Sequence, residues 1–285
     1  MTITSSSGHS SSGIALAVIP ARGGSRGVPR KNLALIGGRS LIDRAICACL
    51  QASSVVRCVV STDDPEIAAA ARELDVSVVH RPPELAADAA SSESAVLHAI
   101  EALESSGWDI PPITLLVQCT SPFLLPADID LVVGTMESEQ ADTCLTVSRT
   151  HGFLWQRDQS GSTVAINHNP ARRLPRQQLE PQFLETGAVY GFRTVAFRHH
   201  QNRFFGRVAL AEVDPRRTVE IDEPVDLVVA ESLAAQLEVL PHTTQAYAPQ
   251  TRAGRGRALA DATADAPMPV LLPVGAQSLR SKVAQ

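Results

Sequence analysis

The stretch that decides the fold is IALAVIPARGGSRGVPRKN, residues 14–32. It begins with an apolar run, 14–19, that has no polar–apolar alternation, which is typical of a strand buried on both faces of a parallel sheet. The following loop holds three glycines, four cations and two prolines. Ligands of such sheets bind beyond the carboxyl ends of the strands, and glycine N–H groups and arginines bind anions. The stretch therefore predicts a polyphosphate site, with a solvated surface loop as the alternative.

Apolar runs of strand length alternate with helical patterns through the first half of the chain and return after a polar break. The predicted strands are 14–19, 55–62, 76–79, 113–118, 142–148, 186–192, 206–213 and 218–221. The predicted helices are 41–52, 65–74, 91–106, 126–137 and 224–240. Unalternated strands interspersed with helices predict an α/β protein with a mostly parallel sheet and helices on both faces.

The composition limits the class of protein. With 285 residues, of which 44% are hydrophobic, the chain is long enough for one sizeable core. A net charge of −5 argues against sequence-independent binding of nucleic acid, and no apolar run approaches the roughly 20 residues that cross a bilayer. Five cysteines lie in apolar stretches without the spacing of a zinc or redox site. We therefore expect reduced thiols, a cytoplasmic location, and neither a nucleic-acid nor a membrane partner.

The chain divides into one domain and two tails. Residues 1–13 are polar, lack the charged and apolar regions of a signal peptide, and predict a disordered tail. Residues 14–240 form the predicted domain, and 241–285, which have no hydrophobic period, predict a second disordered tail. Within the polar break, RDQSG at 157–161 predicts a hairpin turn.

Six segments of the sequence resemble, in order, the acylneuraminate cytidylyltransferases, also called CMP-sialic acid synthetases. They are PARGGSRGVPRKN, VVSTDDPEIAAAARE, RPPELAADAASSESAVLHAI, LLVQCTSPF, INHNPARRLPRQQLEPQFLETGAVYGF and TVEIDEPVDL. The glycine spacing fits neither the dinucleotide fingerprint nor the P-loop. The resemblance, which covers 14–231, implies a Rossmann-like nucleotidyltransferase fold. It also implies transfer of CMP from CTP to a sugar acid with the help of Mg²⁺.

The resemblance also implies a nucleotide site. Arg22 and Lys31 match family positions that grip the triphosphate, and with Asp222 they are the expected catalytic residues. The expected nucleotide-binding residues are Ala21, Arg22, Gly23, Gly24, Ser25, Lys31, Asn32, Arg81, Ser91 and Ser92. A structural alternative for the two serines is that they cap the following helix.

Two acidic residues match the metal ligands of the family. Glu220 and Asp222 are two positions apart on the predicted strand 218–221 and its end, so both side chains face one side. The family usually has Asp at both positions, and the longer Glu220 would shift or weaken that ligand. Asp226 is a third matching carboxylate that could instead serve the first turn of the last helix. The alternative for the pair is simple exposure to solvent.

The acceptor site is expected on the remaining matched positions. These are Gln118, Arg173, Arg176, Gln177, Thr186, Phe204 and Phe205. Residues 151–192 resemble the dimerisation arm of the family, which reaches into the active site of the partner, so the resemblance implies a homodimer. Thr186 stands where the family commonly has Asn, which puts the identity of the acceptor in doubt. For the two phenylalanines, core packing is an equally good interpretation.

The leading hypothesis is therefore a cytidylyltransferase that transfers CMP from CTP to the hydroxyl of a sialic-type nonulosonic acid and releases pyrophosphate. A second hypothesis keeps CTP and changes the acceptor to another nonulosonate, a Kdo-like acid or a phosphonate such as phosphonoformate. A third is a catalytically weak nucleotide-binding homologue. The histidines show no zinc-ligand spacing and no nucleophile triad stands out, so we expect no covalent intermediate.

Overall fold

The computed structural model describes residues 13–25 and 27–237. Seven strands form the main sheet: β1 (Ala15–Pro20), β4 (Val55–Thr62), β5 (Ser77–His80), β6 (Ile113–Val117), β7 (Thr143–Thr150), β10 (Gln182–Arg193) and β11 (Val208–Glu212). Two short hairpins join β2 (Leu35–Ile36) to β3 (Arg39–Ser40) and β8 (Trp155–Arg157) to β9 (Thr163–Ala165). The helices are α1 (Leu41–Gln51), α2 (Pro65–Glu73), α3 (Pro83–Ala86), α4 (Ser92–Ser105), α5 (Pro126–Ser138), α6 (Thr194–His200) and α7 (Pro224–Leu237). The order across the sheet is β11-β7-β10-β6-β1-β4-β5.

Strand β1 lies inside the sheet and explains the apolar run with which the fold begins. It pairs in parallel with β4 on one side and β6 on the other, and Val18 lies opposite Val59 and Leu116. Residues 15–19 are fully buried because helices cover both faces. Helices α1, α2, α5 and α7 contribute to one apolar cluster, and α4 and α6 to the other. The predicted α/β class with a mostly parallel sheet is confirmed.

Strand β10 is the exception to the parallel arrangement. It runs antiparallel to both β6 and β7, and its register shifts between Glu185 and Tyr190. Gly187 lies in this irregular part with a φ of +72°, a conformation that glycine adopts without strain. Because β10 is reversed, its beginning lies at the edge where the neighbouring parallel strands end.

The helices begin where the sequence supplies caps. Asp64 accepts a hydrogen bond from the backbone N–H of Ile67, 3.0 Å away, at the start of α2. Ser91 does the same for Ser94 at 3.1 Å, at the start of α4. These side chains satisfy N–H groups that the first helical turn leaves without partners. The predicted helices agree with the observed ones within one or two residues, except that 238–240 lie outside the described residues.

The predicted strand at 218–221 is wrong. This stretch has no regular secondary structure and pairs with no strand in the described part of the molecule. Ile221 donates a backbone hydrogen bond to the carbonyl of Thr120 at 2.8 Å, just past the end of β6. Strand β6 is already paired on both sides, by β1 and β10, so the stretch finds no free strand edge. The hairpin predicted at 157–161 is confirmed by β8 and β9.

The described residues contain the predicted arm but almost none of the predicted tails. Both predicted tails lie outside them, apart from Gly13. The predicted arm, 151–192, contains the β8–β9 hairpin and, from Gln182 onward, most of β10 in the main sheet. None of the helices that the structure describes is both long and apolar enough to span a membrane.

Candidate functional site

The cationic loop after β1 meets the acidic stretch before α7. Lys31 Nζ lies 2.9 Å from Oδ1 of Asp222 and donates to the carbonyl of Ile221 at 2.7 Å. The Lys31 side chain is only 15% exposed, whereas that of Asp222 is 63% exposed. A Cβ on Gly27 would lie 2.0 Å from the carbonyl oxygen of Asp222, so this close approach requires glycine. The structure thus brings two of the three expected catalytic residues into direct contact.

Other carboxylates face the beginning of the same loop. Arg22 Nη1 lies 2.9 Å from Oδ1 of Asp88 and 3.4 Å from the carbonyl of Ala86. The N–H of Gly23 donates to Asp63 Oδ1 at 3.0 Å. The sequence analysis did not assign Asp63 or Asp88, although Asp63 directly follows the buried strand β4, at the edge where ligands of parallel sheets bind.

The remaining loop residues fix the backbone or face open space. Ala21 is buried and donates its N–H to the carbonyl of Ser61 at 2.9 Å. Asn32 donates from Nδ2 to the carbonyl of Arg22 at 3.0 Å and so holds the loop closed on itself. Gly24 is exposed and would accept a Cβ without contact, and Ser25 is partly buried. The loop is therefore fixed at its beginning and its end, and Gly24 between them is exposed.

Three further residues expected to bind the nucleotide, Arg81, Ser91 and Ser92, lie on or directly after the next two connections. Arg81 is buried, and its guanidinium donates to the hydroxyl of Ser61 at 3.2 Å and to the carbonyl of Ser61 at 2.6 Å. Burial lowers its pKa from the ordinary arginine value. The hydroxyl of Ser91 caps α4, so the structural role proposed for this residue is present, and Ser92 is the first residue of the helix. A cap at a helix end leaves room for a second role, because the hydroxyl has further hydrogen-bonding capacity.

The carboxylates expected to hold a metal lie on the extended stretch before α7. Glu220 accepts a hydrogen bond from the hydroxyl of Thr120 at 3.1 Å. Burial, and then the charge of Asp222, raise the pKa of Glu220. Asp226 accepts from the backbone N–H groups of Asp222 (2.9 Å) and Glu223 (2.7 Å), which lowers its own pKa. Asp226 therefore serves the start of α7 and fixes the backbone of Asp222.

The donor set is compatible with Mg²⁺. Residues 13–25 and 27–237 contain no group of three or more His, Cys, Asp or Glu side chains arranged to hold a metal ion. Mg²⁺ does not need such a group at a phosphate site, since one or two carboxylates and the substrate phosphates suffice. The mutual repulsion of Glu220 and Asp222 is a penalty that a bound cation would relieve.

A network of polar side chains that the sequence analysis missed lies beside these carboxylates. Arg203 Nε is 2.6 Å from Oε1 of Glu93, and both side chains are at least four-fifths buried. The Arg203 guanidinium lies 4.5 Å from the ring centre of Tyr190, whose hydroxyl donates to Glu185. Glu185 in turn contributes to the raised pKa of Glu220. These residues are distant in sequence, and only the tertiary fold brings them together.

Of the residues expected to bind the acceptor, Gln118 and Phe204 are available for contact with a ligand, whereas Phe205 is buried. Gln118 directly follows β6 at the carboxyl edge of the sheet, and its side-chain amide has no hydrogen-bond partner among the described residues. Phe204 is 44% exposed and contacts Tyr190 edge-on, with 6.2 Å between ring centres. Phe205 is buried and stacks on His200 at 4.8 Å, which agrees with core packing.

Thr186 is directed into the protein. It is 6% exposed, and its hydroxyl lies 2.7 Å from that of Thr146 on the neighbouring strand. Both hydroxyls line a small cavity together with Ser121 and Arg217. The structure therefore ties Thr186 to the sheet interior and does not bring its side chain into contact with the cationic loop.

The arm residues do not reach the loop within one chain. The Arg173 guanidinium stacks on Phe153, 4.1 Å from the ring centre. Arg176 and Gln177 form an exposed 3-10 turn. In the described part of the chain, none of the three forms a hydrogen bond or ion pair with Lys31 or Asp222.

Comparison with known proteins identifies the family of the chain. A sequence profile described as cytidylyltransferase matches residues 16–234. N-acylneuraminate cytidylyltransferase A of Danio rerio is 33% identical over 218 residues, which cover 75% of this chain and 49% of that protein. The N-acylneuraminate cytidylyltransferase of Escherichia coli O18:K1:H7 is 29% identical over 219 residues, with coverages of 75% and 51%. The chain thus spans about half the length of the curated relatives it matches.

Solved structures agree on the fold. A CMP:2-keto-3-deoxy-manno-octonic acid synthetase complexed with CTP superposes with a TM-score of 0.58 at 17% identity, covering 78% of this chain and 99% of that one. A 4-diphosphocytidyl-2C-methyl-D-erythritol synthase gives 0.57 at 14% identity, with coverages of 78% and 98%. At these identities the likeness is one of fold, and it supports the Rossmann-like nucleotidyltransferase architecture.

Proposed function

The chain belongs to the cytidylyltransferase family, and on that premise we propose that it transfers CMP from CTP to the hydroxyl of a sialic-type nonulosonic acid and releases pyrophosphate. The relatives named N-acylneuraminate cytidylyltransferase, which match three quarters of the chain, support this choice of acceptor. The structural observation that carries the proposal is the contact between Lys31 and Asp222 at the carboxyl edge of β1.

The proposed chemistry requires positive charge where negative charge develops. As the acceptor oxygen attacks the α-phosphorus and pyrophosphate departs, charge builds on the phosphate oxygens. In this proposal Arg22, Lys31 and the N–H of Gly23 stabilise that charge, because fixed donors aimed at developing charge are the main source of such catalysis. The triphosphate would exchange with the carboxylates that now contact these groups.

We propose Mg²⁺ as the cofactor, held by Asp222 and Glu220. When bound, the ion would neutralise phosphate charge and orient the triphosphate. The residues of this chain prepare that site: Asp226 fixes the backbone of Asp222, and Thr120 orients the carboxylate of Glu220. A metal ligand must be deprotonated, so the raised pKa of Glu220 makes metal binding by this residue dependent on pH.

The acceptor would lie against Gln118 and the edge-on aromatic pair of Tyr190 and Phe204. The unpartnered amide of Gln118 offers a donor and an acceptor to a sugar hydroxyl. The acceptor's own hydroxyl attacks directly in this proposal, without a covalent intermediate on the protein. A carboxylate on the acceptor pairs well with arginine, and Arg173 and Arg176 would supply this charge from the arm of a partner subunit.

We propose that the working form is a homodimer. The β8–β9 hairpin exposes large apolar side chains: Leu154, Trp155, Val164 and Ile166 are between 44% and 57% exposed. By the register of the hairpin, Leu154, Val164 and Ile166 lie on one face and Trp155 lies on the other. Exposed apolar side chains that share a face are typical of surfaces that another protein covers. The five cysteines are free thiols, which fits a cytoplasmic location.

A second candidate function changes only the acceptor. A CMP-N,N'-diacetyllegionaminic acid synthase of Legionella pneumophila is 40% identical over 117 residues, which cover 40% of this chain and 49% of that protein. This match favours a different nonulosonate within the same reaction. The inward-facing Thr186 gives no reason to prefer one acid over the other.

The test measures the release of pyrophosphate from CTP in the presence of Mg²⁺ and one of four acids: N-acetylneuraminate, N,N'-diacetyllegionaminate, Kdo or phosphonoformate. We expect turnover with N-acetylneuraminate, and turnover only with the legionaminate would establish the second candidate. Binding of CTP without turnover on any acid would mark a catalytically weak homologue. UTP in place of CTP is the control for the nucleotide.

A further inference from the structure

The side chain assigned to the triphosphate is already engaged by a carboxylate. The guanidinium of Arg22 contacts Asp88 at 2.9 Å and also approaches the carbonyl of Ala86. Asp88 lies on the connection between α3 and α4, so the pair ties the cationic loop to the segment that leads to Ser91. A guanidinium binds carboxylate and phosphate oxygens with the same N–H groups. The two partners of Arg22 must therefore compete.

The Arg22–Asp88 pair is exposed enough to exchange. The two side chains are 30% and 47% exposed, and ion pairs in such positions contribute little to stability because water and salt screen them. Lys31 differs, because it is half as exposed as Arg22 and also holds the carbonyl of Ile221. Of these two cations, Arg22 has the partner that an anionic ligand displaces more easily.

We propose that Asp88 is a positioning residue that holds Arg22 in the nucleotide-free protein and is displaced by the pyrophosphate portion of CTP. This inference rests on the proposed function, because it takes CTP as the ligand. In the wild type the ligand must displace Asp88 from Arg22, and this cost lowers the affinities for CTP and for pyrophosphate by the same factor. CMP lacks the β- and γ-phosphates, so its affinity is independent of Asp88. As pyrophosphate leaves, Asp88 recaptures Arg22 and favours product release.

The experiment measures the binding of CTP, pyrophosphate and CMP to the full chain by calorimetry in the presence of Mg²⁺. For Asp88→Asn we expect about two- to fivefold tighter binding of CTP and pyrophosphate, the range that corresponds to an exposed ion pair. CMP binding should not change, and the KM for CTP should fall without a rise in kcat. Asp88→Glu keeps the carboxylate and should restore the affinities of the wild type.

The matched control is Glu66→Gln. Glu66 pairs with another cation of the loop, Arg30, at 2.6 Å, so this variant removes the same charge from the neighbourhood. If it tightens CTP binding as much as Asp88→Asn does, the effect is one of net charge and the proposal is overturned. Unchanged or weaker binding of CTP by both Asp88→Asn and Asp88→Ala, with wild-type melting temperatures, would overturn it as well.

The two proposals fail in different ways. Wild-type protein that binds neither CTP nor pyrophosphate would contradict the proposed function and this inference together. Wild-type protein that binds CTP and turns it over, combined with an Asp88→Asn variant of unchanged affinity, would contradict only the role of Asp88.

Discussion

Lys31 Nζ lies 2.9 Å from Asp222 Oδ1, although 191 positions separate the two residues in the chain. The same ammonium group also donates to the carbonyl of Ile221. One largely buried side chain therefore joins the loop after the first strand to the stretch before the last helix. Its loss should affect both the chemistry of the site and the position of the acidic stretch.

Lys31→Met keeps the length of the side chain and removes its charge. We expect kcat/KM for CTP to fall about 100-fold or more, since this is the usual cost of removing one preorganised donor from developing charge. Pyrophosphate release at saturating acid measures the effect. Arg207→Met removes an exposed cation, 63% accessible, and should leave the rate unchanged. A rate within threefold of the wild type for Lys31→Met would contradict its assignment.

Glu220→Gln should change how stability depends on pH. Because the pKa of Glu220 is raised, the folded protein holds this proton more tightly than the unfolded chain, and stability falls as the pH rises through that range. Glutamine lacks this loss, so the melting temperature of the variant should rise relative to that of the wild type as the pH increases above the ordinary glutamate pKa, about 4.

Asp226→Asn provides the control of opposite sign. The pKa of Asp226 is lowered by its backbone hydrogen bonds, so its contribution to stability is present at neutral pH and disappears as the pH falls through the lowered pKa. This variant should lose stability at about pH 7 and match the wild type in strong acid. Parallel pH profiles for the two variants would show that the carboxylates are not perturbed as described.

Gly187→Ala should destabilise the protein by about 2–3 kcal/mol, because it adds left-handed strain and a clash. The φ at Gly187 is +72°, and a Cβ there would lie 2.7 Å from Oε1 of Glu220. Gly161 also has a positive φ, +83°, but no atom within 4 Å, so Gly161→Ala should cost only about 1 kcal/mol. Urea unfolding of both variants separates the strain from the clash, and equal losses would contradict the packing of Glu220 on Gly187.

Asp128→Asn should destabilise the protein by about 3–5 kcal/mol. Asp128 is paired with Arg217 in a nearly buried position, with Nη2 2.9 Å from Oδ1, and it also accepts the backbone N–H of Leu125. Removal of one charge leaves the other buried without compensation. Glu212→Gln breaks the exposed pair with Arg149 and should cost about 1 kcal/mol or less. Denaturant midpoints compare the two, and similar shifts would contradict the importance of burial.

Trp155→Asp should convert the proposed dimer to a monomer at micromolar concentration, because it places a charge at an exposed apolar position of the hairpin. Sedimentation velocity measures the change. Val195→Asp introduces the same charge at an 83% exposed position of α6 and should leave the dimer intact. A wild-type chain that sediments as a monomer, or a Trp155→Asp variant that remains dimeric, would contradict the proposed interface.

The elements that the sequence predicts well are those whose own residues decide them. The apolar run at 14–19 has no polar face, so it must be buried on both sides. Pro65 occupies the first turn of α2 and Ser91 caps α4, so each helix start is decided by a residue at that start. The direction of β10 could not be predicted, because a strand between two neighbours has the same apolar pattern whichever way it runs. The stretch 218–221 alternates like a strand but has no free edge beside it.

The site was predicted where the contact partners are close in sequence or belong to a known motif. The cationic loop and Asp222 were singled out in this way, and the structure brings Lys31 and Asp222 into contact. Asp88 and Arg203 were missed, because their significance depends on Arg22 and Glu93, which lie far away along the chain. Asp63 could have been found, since polar residues directly after a buried strand lie at the edge where ligands bind.

The reversed strand β10 means that the chain enters the candidate site from two opposite directions. The cationic loop follows the parallel strand β1, whereas Glu185 and Tyr190 arrive on the antiparallel strand β10, at the end of the polar segment between β7 and β10. A graft of residues 151–193 from a relative would therefore exchange Glu185 and Tyr190 together while leaving every residue of the cationic loop in place.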